Sequence, residues 1–263
     1  MITIEQAPYF ELPFLNAAPG RQRVAVRERL PFLRAVVSGL PRGAPPIVAT
    51  ADLQGRSEFG DTDDSLLGCA VADALPEVQA AAGLPAPQVS LGLLAGDFYS
   101  IPNAMKRGGL GDVGEVWSRM HRQFSRVAGV LGNHDQFGES ARSRHRPEGF
   151  LDGAILEMDG LRVGGVSGIV GDSGRPNRRS PDEFAESLIT VLALQPDILL
   201  MHAAPATDEG APGDPSIADW IRSTDFAGLI VCGHVHWDER VQRCGRATVL
   251  NVDGAVVTLV RAS

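Results

Sequence analysis

From residue 45 to the end, the sequence keeps one rhythm: short apolar runs, most of which stop at a glycine or a polar residue. The runs are Ile47–Ala51, Val89–Ala95, Val127–Leu131, Ile155–Met158, Leu161–Ile169, Ile198–Met201, Leu229–Cys232 and Ala247–Val252. They are short for buried helices and read as strands covered on both faces. Segments of helical character fill several gaps, at Asp64–Ala82, Val113–Phe124, Pro181–Leu194 and Pro215–Ser223. Strand alternating with helix predicts α/β layers with largely parallel strands. Asp159-Gly160 between two runs is a hairpin signal, so the sheet is expected to be mixed. The last strands, up to Leu259, read as a terminal antiparallel pair.

Residues 1–43 fit this rhythm least. Phe10 to Leu15 reads as a strand. Arg23 to Leu40 reads as a helix on the spacing of Val26, Leu30, Leu33 and Val37, with Pro31 kinking it or opening a second segment. This N-terminal extension either lengthens a sheet or covers a cleft. No composition break marks a boundary, so 1–263 is expected to be one domain.

Each main run ends in chemistry. Asp52 and Gln54 follow the first, Gly96-Asp97 the second, and Gly132-Asn133-His134-Asp135 the third. His202 ends a later run, and Gly233-His234-Val235-His236 ends the next. Four of the chain's 6 histidines stand at these places. Polar residues at strand ends collect at one rim of an α/β sheet, where such proteins place their sites. Carboxylates, an amide oxygen and imidazoles together suit manganese, iron or zinc. His234 and His236, two apart in extended chain, point to one side and could serve neighbouring ions, with Asp97 as the natural bridging carboxylate. A pair of divalent ions would favour an anionic substrate.

The ordered series Asp52-Leu53-Gln54, Gly96-Asp97, Gly132-Asn133-His134-Asp135, His202 and Gly233-His234-Val235-His236 resembles the calcineurin-like metallophosphoesterase superfamily. The resemblance implies a four-layer αββα fold: two mixed sheets face to face, with helices outside. It implies two divalent metal ions, manganese first and iron or zinc as alternatives, that activate water to attack phosphorus. By position, one metal site would be Asp52, Gln54, Asp97 and His236. The other would be Asp97, Asn133, His202 and His234. His134 would act at the leaving oxygen, and Asp135 would orient His134 or hold its loop. The family pattern has histidine where this chain has Gln54, a neutral and weaker ligand. The implied reaction is hydrolysis of a phosphodiester or related ester of a small molecule or nucleotide. The alternatives are a phosphomonoesterase, or a non-catalytic scaffold on the same fold.

Other features are weighed against ordinary explanations. Arg142, Arg144, Arg146, Arg175, Arg178 and Arg179 are either solvated loop charges or a grip on a second phosphate, a nucleotide or a polyanion. Tyr99 and Trp237 are candidate cleft residues; Trp117 and Trp220 read as packing, and Cys232 as buried filler. A net charge of -8 gives no global attraction for nucleic acid, though a local patch stays open. Three scattered cysteines suit a reducing cytoplasm, and neither a signal peptide nor a membrane span is expected.

Overall fold

The computed structural model describes residues 1–18, 24–41, 43–57, 65–106, 108–138 and 146–262. The first sheet takes β1 (Ile2–Ile4), β2 (Phe10–Ala17), β3 (Ala25–Val37), β4 (Ile47–Ala51), β5 (Leu91–Leu94) and β6 (Arg126–Gly129). The second takes β7 (Ala154–Met158), β8 (Leu161–Val166), β9 (Ile198–Met201), β10 (Leu229–Cys232), β11 (Val241–Cys244) and β12 (Ala247–Asn251). The final strand, β13 (Ala255–Arg261), returns to the first sheet. The helices are α1 (Leu67–Ala81), α2 (Gly114–Gln123), α3 (Pro181–Ala193) and α4 (Pro215–Arg222).

The first sheet runs in the order β2-β3-β13-β4-β5-β6, with Arg56–Ser57 closing the β2 edge and β1 on β3. The second runs β7-β8-β9-β10-β12-β11. Both are mixed: β4, β5 and β6 are parallel, as are β8, β9, β10 and β12, while β2, β7 and β11 pair antiparallel with their neighbours.

Alternation along each strand explains the layering. Ala49, Leu93, Leu200, Val231, Leu250 and Val257 meet between the two sheets. Their chain neighbours Val48, Leu94 and Val256 face outward to Leu67, Val71, Leu75 and Trp117 of α1 and α2. Leu199, Ile230 and Val249 face Phe184, Leu188, Ile217 and Ile221 of α3 and α4. The central strands are therefore apolar on both faces, which is why their runs read as continuous rather than alternating. The result is the expected four-layer αββα sandwich.

Local signals set the element ends. Ser180 and Glu183 cap α3 reciprocally, with Pro181 at its first turn. Asp214 accepts from the N–H groups of Ser216 and Ile217 at the start of α4. Met158 pairs with Leu161 across Asp159 (φ 50°) and Gly160 (φ 81°). This is the two-residue turn with both central residues left-handed, as the Asp-Gly pair predicts.

Two expectations are corrected. The helix expected over Arg23–Leu40 is replaced, among the described residues, by a 13-residue strand, Ala25–Val37. It lies between β2 and β13, with Leu33, Ala35 and Val37 between the sheets and Leu30 and Phe32 toward the helices. Apolar residues crowd both faces, and their spacing imitates a helical stripe. The last two strands are not a pair either. β12 lies in the second sheet and β13 in the first, so Val252–Gly254 crosses between layers. Both strands are buried on both sides, and apolar content alone does not name a partner.

Candidate metal centre

Strands β4, β5 and β6 of one sheet and β9 and β10 of the other deliver their carboxyl ends to one rim. Asp52 follows β4, Asp97 follows β5, and Asn133 lies beyond β6. His202 directly follows β9, and His234 follows β10. Asp52 (φ 56°), Asp97 (φ 57°) and His234 (φ 70°) all adopt left-handed backbone. Asp and His tolerate this region better than most side chains, but it still costs on the order of 1 kcal/mol per residue. Each turn bends the chain sharply and aims a polar side chain across the rim.

Two signature glycines make room for these carboxylates. A Cβ on Gly132 would strike Oδ1 of Asp97, and a Cβ on Gly233 would strike Oδ2 of Asp52. The Asp97 carboxylate lies against Gly132 and accepts the His134 N–H at Oδ1, 2.9 Å. Asp52 accepts the His234 N–H at Oδ2, 2.8 Å.

Among the described residues, Asp97, His202 and His234 form a group whose ligand atoms all lie within 4.8 Å of one another. His202 Nδ1 is bonded to the Ala95 carbonyl at 2.9 Å, which turns Nε2 toward the centre. That Nε2 stands 3.2 Å from Asp97 Oδ2 without hydrogen-bond geometry. The rings of His202 and His234 are 5.0 Å apart. Gln54 Nε2 donates to Asp97 Oδ2 at 2.9 Å, so the amide standing in for an imidazole touches the expected bridging carboxylate. Asn133 is buried, and its Oδ1 has no partner.

His236 stands apart from this group. Its ring is 71% exposed, and Nδ1 lies 3.0 Å from Asp253 Oδ2. Together with Asp52, Gln54 and His234 it lines a cleft of about 460 Å³ that opens beside the cluster. The residues expected for one site are gathered most tightly; those expected for the other form the cleft wall.

The electrostatics fit a cation. Burial holds the Asp52 carboxyl well above its ordinary range, reinforced by Asp97. Burial also opposes charge on Asp97, yet His202 outweighs it and lowers that carboxyl. On His202 burial likewise acts against charge, but Asp97 and Asp52 overcome it and raise the ring to about 10. Burial, then His202, bring His234 down to about 4, leaving the neutral imidazole that ligates metals. A buried acidic centre that draws a proton onto His202 is one where a divalent ion is well placed. A cation there would take the place of that proton on His202 Nε2, which has no hydrogen-bond partner, and Asn133 Oδ1 is likewise buried and unpartnered, so the donor set fits a metal ion.

Asp135 clamps the loops. It is fully buried and accepts from the N–H groups of Asp97, Phe98, Tyr99 and Gly132. Burial, with Asp97 nearby, pushes its carboxyl up to about 6. The His134 ring is held instead by the Gly109 carbonyl at Nδ1, leaving Nε2 4.0 Å from Asp97 Oδ2. Of the two roles left open for Asp135, its bonds are those of a loop holder.

Three supporting residues escaped the sequence reading. Asn177 (φ 53°) donates from Nδ2 to the carbonyls of Gly132 and Asp135. Asn251 Nδ2 donates to the Val235 carbonyl at 2.7 Å, and Asp253 braces His236. Strand-end position, which found the ligands, also marks Asn251 and Asp253; Asn177 sits in an arginine loop with no such signal. Tyr99 lines the cleft as expected, but Trp237 is buried and donates to the Pro212 carbonyl.

The arginine cluster divides. Arg179 pairs with Asp152 and bonds Ser187, and Arg146 lies over the Phe150 ring at 4.8 Å. The Arg178 guanidinium makes no hydrogen bond or ion pair with any described residue, and its charge reaches His234. Arg142 and Arg144 lie outside the described residues.

Residues 45–238 match the calcineurin-like phosphoesterase family, and the chain belongs to it. Members of this family generally bind a binuclear divalent metal centre, and the Asp97, His202 and His234 cluster is the candidate for it here. Among solved structures, TT1561 of Thermus thermophilus is 16% identical, with 79% of this chain and 88% of that one covered at a TM-score of 0.50. That likeness is one of fold. A Vps29 variant from Entamoeba histolytica is 13% identical over 78% of this chain and 72% of its own, at a TM-score of 0.34. No protein of curated function matches the sequence. Among the described residues, no helix is long and apolar enough to cross a membrane.

Proposed function

We propose that the protein is a metal-dependent phosphodiesterase acting on a small-molecule or nucleotide ester. The observation that carries this is the convergence of Asp97, His202 and His234 from two sheets, with His202 Nε2 and Asn133 Oδ1 buried and unpartnered, beside an open cleft. Asp97, Asn133, His202 and His234 would hold one divalent ion; Asp52, Gln54 and His236, sharing Asp97, would hold the second. Manganese suits this oxygen-rich set, with iron or zinc as alternatives. Bound ions of this kind supply Lewis-acid polarisation of the phosphoryl group and activation of water.

The chain's own residues do the rest. His134, fixed at Nδ1 by Gly109, presents Nε2 beside Asp97, where a protonated ring donates to the departing ester oxygen. Arg178, whose charge reaches His234, would be the loop arginine placed for a phosphoryl oxygen. Asp135 and Asn177 position this machinery rather than touching substrate. The cleft wall carries Glu28 and Asp253, carboxylates that disfavour the dianion of a monoester and support the diester reading. Three buried free cysteines suit a reducing, cytoplasmic setting.

The test is hydrolysis of bis-p-nitrophenyl phosphate against p-nitrophenyl phosphate by manganese-loaded protein, with metal content measured in parallel. The expected result is preference for the diester and about two ions per chain, as paired-metal catalysis requires. Monoester-only turnover would overturn the diester reading. Neither turnover nor bound metal would favour the scaffold alternative, for which the histidine-to-glutamine difference at Gln54 is the supporting observation.

A further inference from the structure

The strand β3 is longer than the sheet it belongs to. Its pairing with β13 begins at Phe32, opposite Val256, while Ala51 at the end of β4 pairs with Ala255. Residues 25–30 therefore continue past the rim, paired only with residues 12–17 of β2. The overhang starts level with Asp52 and stands beside the metal centre. It lies outside the region that matches the family, which begins at residue 45.

This hairpin forms one wall of the 460 Å³ cleft: Phe14, Asn16, Glu28 and Leu30 line the same space as Asp52, Gln54 and His236. Asn16 Oδ1 accepts the Ala17 N–H at 2.8 Å, which orients its amide, and Nδ2 donates to Glu28 Oε2 at 2.8 Å. The Glu28 carboxylate is thus fixed in a half-buried position. One accepted bond leaves it room for several more, since a carboxylate offers about four lone-pair sites.

We propose that the overhanging hairpin is a subsite for the alcohol half of the substrate ester, and that Asn16 and Glu28 select an uncharged, hydroxyl-bearing group such as a sugar or polyol. The inference rests on the phosphoesterase reading above and names the substrate class for that site. Glu28 is an acceptor that needs donors. Asp253 stands in the same wall, and the two carboxylates oppose a second phosphate there. Among the described residues, the cations facing the cleft are Lys106 and Arg29, and Arg29 lies 3.6 Å from Glu11. Phe14, Leu30 and Tyr99 offer carbon surface for the ring or chain that carries the hydroxyls.

The experiment compares two diesters with the same leaving group on manganese-loaded protein: bis-p-nitrophenyl phosphate, and the p-nitrophenyl ester of uridine 5′-phosphate, which carries a ribose diol. The readout is the ratio of kcat/KM values, nucleoside ester over bis-ester, in the wild type, Glu28→Gln, Glu28→Ala and Asn16→Ala. Loss of a hydrogen bond to a charged group should lower that ratio roughly ten- to hundredfold, through KM. Glu28→Gln keeps the side-chain shape, and its thermal midpoint reports whether the hairpin still folds. A wild type that cleaves both esters while folded Glu28 and Asn16 variants keep its ratio would overturn the subsite alone. A wild type that cleaves neither would remove the phosphoesterase reading and this inference with it.

Discussion

The backbone N–H of His134 donates to Oδ1 of Asp97 at 2.9 Å, so the proposed proton donor and the proposed bridging carboxylate are fixed to each other. The other carboxylate oxygen faces His202 and Gln54. Removing the His134 ring leaves the backbone bond intact. His134→Ala should therefore keep its metal and lose roughly 10²–10⁴-fold in kcat on an alkyl ester, with a much smaller loss on a p-nitrophenyl ester. Equal losses on both esters would remove the leaving-group role.

Gly132 and Gly233 are read as space for carboxylates rather than as turn formers. Gly132→Ala should displace Asp97, and Gly233→Ala should displace Asp52. Each is expected to weaken metal binding about ten- to a hundredfold, the range seen when residues supporting a metal ligand are changed. Titration calorimetry with manganese measures it. Wild-type affinity in both variants would show that the carboxylates do not bind the ion.

Gln54→His places an imidazole where the family has one. The variant should bind zinc in the second position more tightly than the wild type, because imidazole suits zinc better than an amide oxygen does. Metal analysis after dialysis against zinc reads this directly. An unchanged zinc content would place Gln54 outside the metal site.

Asn177 tests positioning. Its amide is the donor to two carbonyls of the loop that carries Asn133 and His134. Asn177→Asp keeps the shape but loses the donor, which should cost about 1–3 kcal/mol of stability and lower kcat more than KM. Unfolding midpoints and steady-state rates together decide it; a pure KM effect would mean that Asn177 contacts substrate.

Manganese added to metal-free protein at a hundred times its dissociation constant should stabilise the fold by about 2.7 kcal/mol. For a chain of this size that raises Tm by roughly 5 °C or more. A chelator should reverse the shift. No shift with manganese, iron or zinc would contradict a metal centre at this rim.

Much of this was legible in the sequence for one physical reason: apolar runs buried on both faces have sharp ends, and the chemistry stands at those ends. Ile198–Met201 and Leu229–Cys232 have the bounds expected of them, and His202 and His234 lie just beyond. Less legible were features set by partners distant in sequence. The strand Ala25–Val37 looked helical because both of its faces are covered, and the separation of β12 from β13 depends on which sheet each joins. The exposure of His236 and the contact of Gln54 with Asp97 depend on loop conformation, which residue spacing does not encode.

Asp52, Asp97 and Asn133 come from one sheet; His202, His234 and His236 come from the other. Between the layers, contacts such as Ala49, Ala51, Ala95 and Ala128 are small and without direction. An ion held from both sides would act as a rivet at the open edge of the sandwich, locking the angular setting that greasy contact leaves loosely specified. A half-assembled chain would then be chemically silent, because each of the two ion sites draws its donors from both leaves.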